Sequence, residues 1–255
     1  LPIVGFVAIH TTLIGDRLSR ELREKRYIKG VFRSYVSPEV VDQIVTSGAT
    51  PELGGQKVDI TILFSDIQGF STFSEQLEPE ELVDLMVEYL SEMTDIIMDK
   101  KGTLDKYIGD AIEAMYGAPV PVANHAYCGV ESAILMQRKQ VELCGRWKSQ
   151  GRRDRALQLR SRIGRNTGAA VVGNMGSQRR FNYTMMGDNG NLVARCESGA
   201  KAYGGYTIIT EQTMLEAQAA KDDVVYRFLD RIVVKGRSTP VKVYEIVETK
   251  TCVTS

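Results

Sequence analysis

The chain has little of the chemistry on which most hydrolases and zinc proteins depend. Of its 255 residues only two are histidines, His10 and His125, which excludes a His-rich zinc centre. A Ser-His-Asp triad would have to use His125, and no nucleophile elbow accompanies it. The four cysteines, Cys128, Cys144, Cys196 and Cys252, lack CxxC spacing and read as reduced thiols in a cytosolic setting, not as a disulfide or zinc framework. Net charge is absent too: Lys+Arg and Asp+Glu each number 32. That balance argues against a nucleic-acid-coating surface, though not against a local basic site for a small polyphosphate. No P-loop or dinucleotide glycine pattern follows a strand, and no Gly-Gly-Asp/Glu-Glu-Phe signature occurs.

Long hydrophobic runs are also missing. Leu1–Gly15 is mostly apolar, but His10, Thr11 and Thr12 interrupt it, and crossing a bilayer takes about 20 residues. It lacks the basic region and cleavage site of a signal peptide. Two readings stay open, the trimmed end of a membrane helix and an ordinary buried segment. The arginines and lysines of Asp16–Lys29 fit the positive-inside pattern and favour the first. The chain opens on Leu-Pro without an initiator methionine and reads as a fragment or processed product.

What remains is an ordinary globular composition, 43% hydrophobic and 25% charged, suited to one domain of about 200 residues with an appendage. Residues 1–48 read as the apolar start and a linker or signalling helix, and residues 49–250 as the main domain. A helical pattern over Arg17–Phe32 puts Leu18, Leu22, Ile28, Val31 and Phe32 broadly on one side, for a second chain or for its own domain. Pro38–Ser47 is a short helix and Gly48–Gln56 a loop.

The organising stretch is Ile60–Phe70, where the apolar run Ile60–Phe64 delivers Asp66 to a glycine turn. A strand that carries a carboxylate to its end suits a hard cation. Asp110, at a second glycine turn before the strand Ala111–Tyr116, makes the pair a plausible two-metal platform. Between them Leu82, Val83, Met86, Val87, Leu90, Met93, Ile96 and Ile97 repeat at helical spacing as core packing. Pro79 opens that helix, and Lys100-Lys101-Gly102 closes it. Thr103–Tyr107 is a strand, and Asn124 caps a second long helix that runs to about Gln150 with a basic tail, Arg146–Arg155. Strands follow at Leu157–Gly164, Ala169–Gly173 and Phe181–Met186, then a helix over Asn189–Tyr203. Tyr206–Thr210, a short helix Glu211–Ala219, Val224–Val234 and Val241–Val247 complete an α+β domain, a mixed, mostly antiparallel sheet flanked by helices and preceded by an N-terminal helix.

FSDIQGF with Asp66, LDKYIGDAIEAMYG with Lys106 and Asp110, Asn166-Thr167-Gly168 before VVGNMGS, and YTMMGDNGNLVAR with Thr184, Asn191 and Arg195 together resemble the class III adenylyl/guanylyl cyclase catalytic domain. The resemblance runs from about Arg26 to Val247. The lead-in Arg26–Thr46 resembles that of bacterial membrane-anchored cyclases with a sensor domain. It implies a palm-like fold and conversion of ATP to 3′,5′-cyclic AMP and pyrophosphate. Asp66, Asp110 and the backbone carbonyl of Ile67 would hold two divalent cations, Mg²⁺ or Mn²⁺. Lys106 would donate to adenine N1 and Thr184 accept from the 6-amino group. Asn191 would orient the ribose, Arg195 stabilise the phosphorane, and Lys235 bind the triphosphate. The resemblance further implies a homodimer with sites shared across its interface, no nucleic-acid partner, an upstream sensor or membrane region in the same chain, and a cytoplasmic location below a membrane anchor. Lys106 disfavours a guanylyl cyclase, and the full residue set disfavours a catalytically silent regulatory partner. Three departures stand out: Glu113 and Arg165 where apolar residues are usual, and Asn189-Gly190 at the start of the helix that bears Asn191.

Overall fold

The computed structural model describes residues 2–33, 36–48, 50–151, 159–233 and 240–253. The chain divides into two compact units, Leu1–Pro51 and Glu52–Ser255.

The first unit holds α1 (Pro2–Phe32) and α2 (Pro38–Ser47). Helix α1 is one continuous element, longer than the Arg17–Phe32 pattern predicts. Asp42 of α2 is held by Lys29 at 2.8 Å and Arg33 at 2.9 Å, and these two cations lower its carboxyl below the usual range. Leu18, Leu22, Ile28, Val31 and Phe32 are all exposed. No described helix is long and apolar enough to cross a membrane.

The second unit is an eight-stranded mixed sheet flanked by helices, as its alternating pattern predicts. Its elements are β1 (Gly54–Ile67), α3 (Phe70–Ser74), α4 (Pro79–Asp99), β2 (Gly102–Ile108), β3 (Ala111–Tyr116), α5 (His125–Ser149), β4 (Ser161–Ser177), β5 (Arg180–Met186), α6 (Asp188–Tyr203), β6 (Thr207–Thr210), α7 (Glu211–Ala220), β7 (Val224–Ile232), β8 (Val241–Thr249) and α8 (Lys250–Val253). The sheet order is β2-β3-β1-β4-β6-β8-β7, with β5 paired to the far half of β4. Among the described strands only the β4–β6 pair is parallel, and the chain between them runs through β5 and α6.

Strand alternation separates the two faces. Leu63 and Ile67 of β1 enter the main core with Leu85, Tyr89, Met93 and Ile97 of α4 and much of α5. Ile60 and Ile62 pack on the other face with Val193 of α6. Helix α6 lies close because β4 has Gly164 beneath it: a Cβ there would collide with the backbone of Val193 and Glu197.

Four expectations need correction. The strands expected at Leu157–Gly164 and Ala169–Gly173 are one from Ser161 onward, because β1 pairs continuously from Ser161 to Asn174; Leu157 lies outside the described residues. Gly54–Gln56, read as loop, opens β1 for the same reason. On α4, Val83 and Val87 are exposed, and the buried row is Leu85-Tyr89-Met93-Ile97, four apart throughout. Asn124 does occupy the N-cap of α5, but without a side-chain cap bond.

Candidate active site

Strand β1 ends at Ile67, placing Asp66 where the chain turns through Gly69 (φ 72°). Asp110 sits between β2 and β3 beside Gly109 (φ 65°). Both turns need the left-handed backbone that glycine adopts without strain. The carboxylates converge. Asp110 Oδ2 accepts from the Ile67 N–H at 2.9 Å, and Asp66 Oδ2 accepts from Arg162 Nη2 at 2.8 Å. Burial pushes the Asp110 carboxyl up to about 6; the Ile67 N–H opposes that rise and the adjacent Asp66 adds to it. Two acids this close, with Arg162 the one cation bonded to them among the described residues, form an oxygen-only pair. That donor set fits Mg²⁺ or Mn²⁺.

Arg162 also reaches Glu197 of α6, Nε to Oε1 3.0 Å, though not aligned as a hydrogen bond. Burial raises the Glu197 carboxyl to about 7. Arg162 therefore joins β4, the Asp66 carboxylate and α6, a role that no sequence motif singled out.

A second cluster forms on β2, β3 and β5. Lys106 Nζ donates to Thr184 Oγ1 at 3.1 Å and to Asp105 Oδ2 at 3.0 Å, and lies 3.2 Å from Glu113 Oε2. Thr184 Oγ1 in turn donates to Asp105 Oδ2 at 2.5 Å. The two side chains expected to read one base edge are thus neighbours in a single chain. A bulge makes this possible. Leu104 pairs with Ala114 but Lys106 pairs with Glu113, so the register slips by one residue between them. In an unbroken strand Leu104 and Lys106 would share a face; the extra residue, Asp105, turns Lys106 to the other side. Burial works against the Lys106 charge, but Asp105 and then Glu113 outweigh it and raise its pKa. Glu113, unusual by the resemblance, is a cross-strand partner for Lys106, and burial raises its carboxyl.

Asn191 and Arg195 lie four apart on an exposed face of α6. Among the described residues neither side chain has a hydrogen-bond or ion-pair partner, and neither joins the two clusters above. Asn189 ties the start of α6 to β4: its Oδ1 accepts from Asn166 Nδ2 at 2.9 Å and its Nδ2 donates to the Ala169 carbonyl at 2.7 Å. Arg165, the third departure, points away from the site into the core. Its guanidinium is fully buried, donates to Ser132 Oγ at 3.1 Å, lies over the Tyr116 ring and leaves Nε and Nη1 unpaired. Burial lowers its pKa to about 10. Lys235 lies outside the described residues.

The family profile described as the adenylate and guanylate cyclase catalytic domain matches residues 55–248. The chain belongs to this family. It is 34% identical to adenylate cyclase 1 of Rhizobium meliloti over 85% of its length and 31% of that protein's. It is 30% identical to an adenylate cyclase of Anabaena cylindrica, over 87% of its length and 42% of that protein's. The chain therefore spans less than half of these relatives. Among solved structures, the adenylyl cyclase CyaB from P. aeruginosa superposes with a TM-score of 0.68 at 35% identity, covering 77% of this chain and 97% of that one. The guanylyl cyclase Cya2 superposes with a TM-score of 0.65 at 33% identity, covering 77% and 95%.

Proposed function

We propose that residues 49–250 form an adenylyl cyclase catalytic domain converting ATP to cyclic AMP and pyrophosphate, with residues 1–48 as a signalling helix and linker. The observation that carries the choice of ATP is the Lys106–Thr184 contact braced by Asp105. In the free protein the Lys106 ammonium spends its donors on Asp105, Glu113 and Thr184. Adenine entering between Lys106 and Thr184 replaces one bond with two. The freed ammonium hydrogen goes to N1, and the freed Thr184 oxygen accepts from the 6-amino group, while the threonine hydrogen stays on Asp105. Guanine would present its own N1–H to an ammonium, and a buried donor left facing a donor discriminates strongly. A guanylyl reading keeps two supports, the Glu113 carboxylate beside Lys106 and the likeness to Cya2.

Asp66, Asp110 and the Ile67 carbonyl would hold two Mg²⁺ or Mn²⁺ ions, which when bound supply acidification of the 3′-hydroxyl and charge neutralisation of the triphosphate. Asn191 positions the ribose so that its 3′-oxygen faces the α-phosphorus in line with departing pyrophosphate. The Arg195 fork meets charge developing on the phosphoryl oxygens, and Lys235 grips the triphosphate. Because the Asn191–Arg195 face lacks partners among the described residues, a second copy completes the site, and the exposed row on α1 suits pairing with its counterpart. The sensor or membrane region belongs upstream in the same chain.

The test is product analysis with ATP and with GTP in Mn²⁺, at concentrations where the protein is shown to be dimeric. Cyclic AMP from ATP, abolished by Asp110→Ala, is the expected result. Cyclic GMP as main product would establish the guanylyl reading, and no product from either nucleotide would establish a silent partner.

A further inference from the structure

The face of β1 turned away from Asp66 carries a second convergence of ligand-type side chains. Asp59 shares that face with Thr61 and Leu63. It meets His125, the first residue of α5, and Glu216 of α7, with one donor atom from each lying within 4.8 Å of the other two. Neither Asp59 nor Glu216 forms an ion pair with a described lysine or arginine; the one polar bond at Glu216 comes from Gln212 Nε2 at 2.6 Å. Two carboxylates thus converge with no cation between them among the described residues.

The histidine is held as a ligand would be. Its Nδ1 lies 2.8 Å from Thr61 Oγ1, which itself lies 2.7 Å from Thr167 Oγ1, both hydroxyls on buried residues. With Nδ1 engaged, Nε2 is the nitrogen left for an ion, and the Thr61 bond fixes the ring's rotation. A second bond that orients a ligating imidazole is the usual companion of a metal site.

We propose that Asp59, His125 and Glu216 form a divalent transition-metal site of the zinc class, separate from the catalytic pair. One imidazole with two carboxylates is a mixed N/O set that suits Zn²⁺, whereas Mg²⁺ favours oxygen alone. Bonds of about 2.0–2.2 Å would draw the three donors inward from their present spread. Asp59 is exposed and Glu216 half-buried, so both side chains have room to turn. Three protein ligands leave a position for water. The bound ion would cross-link β1, the start of α5 and α7 behind the strand that delivers Asp66.

Metal-free protein titrated with Zn²⁺, and with Co²⁺ for its visible absorption, tests the site. The expected result is one equivalent per chain that persists in the Asp66→Asn/Asp110→Asn double variant and in Cys252→Ser. Its affinity should fall at least tenfold in Asp59→Asn and in Glu216→Gln. In that double-variant background Zn²⁺ should also raise the melting temperature, and adding Glu216→Gln should abolish the rise. Because His125→Gln would also disturb the Thr61 bond, the two carboxylate variants carry the test. Zn²⁺ affinity unchanged by both carboxylate variants overturns the proposal. So does binding that vanishes with the catalytic pair or with Cys252.

Discussion

The two ends of the candidate site are built on opposite plans. At the end formed by β1, β2, β3 and β5 the charged groups of the two clusters already have partners: Lys106 is braced by Asp105 and Glu113, Asp66 by Arg162, and Asp110 by the Ile67 N–H. On α6, Asn191 and Arg195 stand exposed, four apart, with no such partners among the described residues. One end is preorganised by its own chain. The other carries its two side chains on a helix seated against β4 by Gly164 and Asn189, which the proposed second copy would cover.

The sharpest way to break this comparison is to separate its halves. Asp110→Asn and Arg195→Ala should each lower turnover by about 10²–10³-fold, the scale for losing a group that stabilises the transition state. If one chain's carboxylates work with the other chain's α6, mixing the two inactive variants restores about a quarter of the wild-type activity, since half of randomly paired dimers carry one intact site of two. No recovery, with exchange of chains demonstrated, would mean that each chain is complete and that the bare α6 face has another purpose.

Lys106→Glu probes the preorganised end. It puts a third carboxylate beside Asp105 and Glu113 and removes the one cation that pairs with them among the described residues. We expect kcat/KM for ATP to fall about 10²-fold or more, with a smaller loss for GTP, whose N1–H then faces an acceptor. Equal losses for both nucleotides would show that the cluster supports the fold and does not read the base.

The preorganised end also stores a cost that pH exposes. Without metal, the Asp110 carboxyl titrates near 6 in the fold against an ordinary 3.8, so the folded state holds its proton longer. Stability from that proton is complete below the unfolded value and is lost as pH rises through about 6. Glu197, moved from 4.5 to about 7, acts in the same direction. The melting temperature of metal-free protein should therefore fall between about pH 4 and pH 7, and Asp110→Asn should lessen the slope while raising stability at neutral pH by a few degrees. A flat wild-type profile would mean that neither Asp110 nor Glu197 is buried as the fold places it.

Much of this was legible in the sequence, for identifiable reasons. Asp66 is announced by an apolar run that ends at a glycine turn, Asp110 by a glycine turn with an apolar run after it, and α4 by its proline, its acidic first turn and its apolar period. What could not be read comes from contacts between distant segments. Asp105 adjoins Lys106, and alternation would send the two to opposite faces; only the bulge gathers them, and no residue type marks it. Arg162 and Glu197 meet because Gly164 lets α6 approach, a fact of packing and not of spacing. Arg165 looks like a threat to the site beside Asn166-Thr167-Gly168, yet strand parity turns it into the core, where Gly129 makes room: a Cβ there would sit 3.0 Å from Arg165 Nη1. His125 was weighed for a triad, while its convergence with Asp59 and Glu216 needed three elements in place.

The smallest expected effect returns to α6. Gly190 sits in the first turn of the helix, its N–H bonded to the Gly187 carbonyl at 3.1 Å, and a Cβ there would meet nothing within 4 Å. No steric demand keeps it a glycine, so Gly190→Ala should stabilise the protein by about 0.5–1 kcal/mol through helix propensity alone. The informative reading is kinetic. If the α6 face is rigid and merely waits for a partner, kcat changes by less than about twofold, because Asn189 already fixes the helix start to β4. A severalfold fall in kcat with unchanged KM would show instead that the first turn must give way as Asn191 takes the ribose. The bare end would then differ from the preorganised one in stiffness as well as in partners.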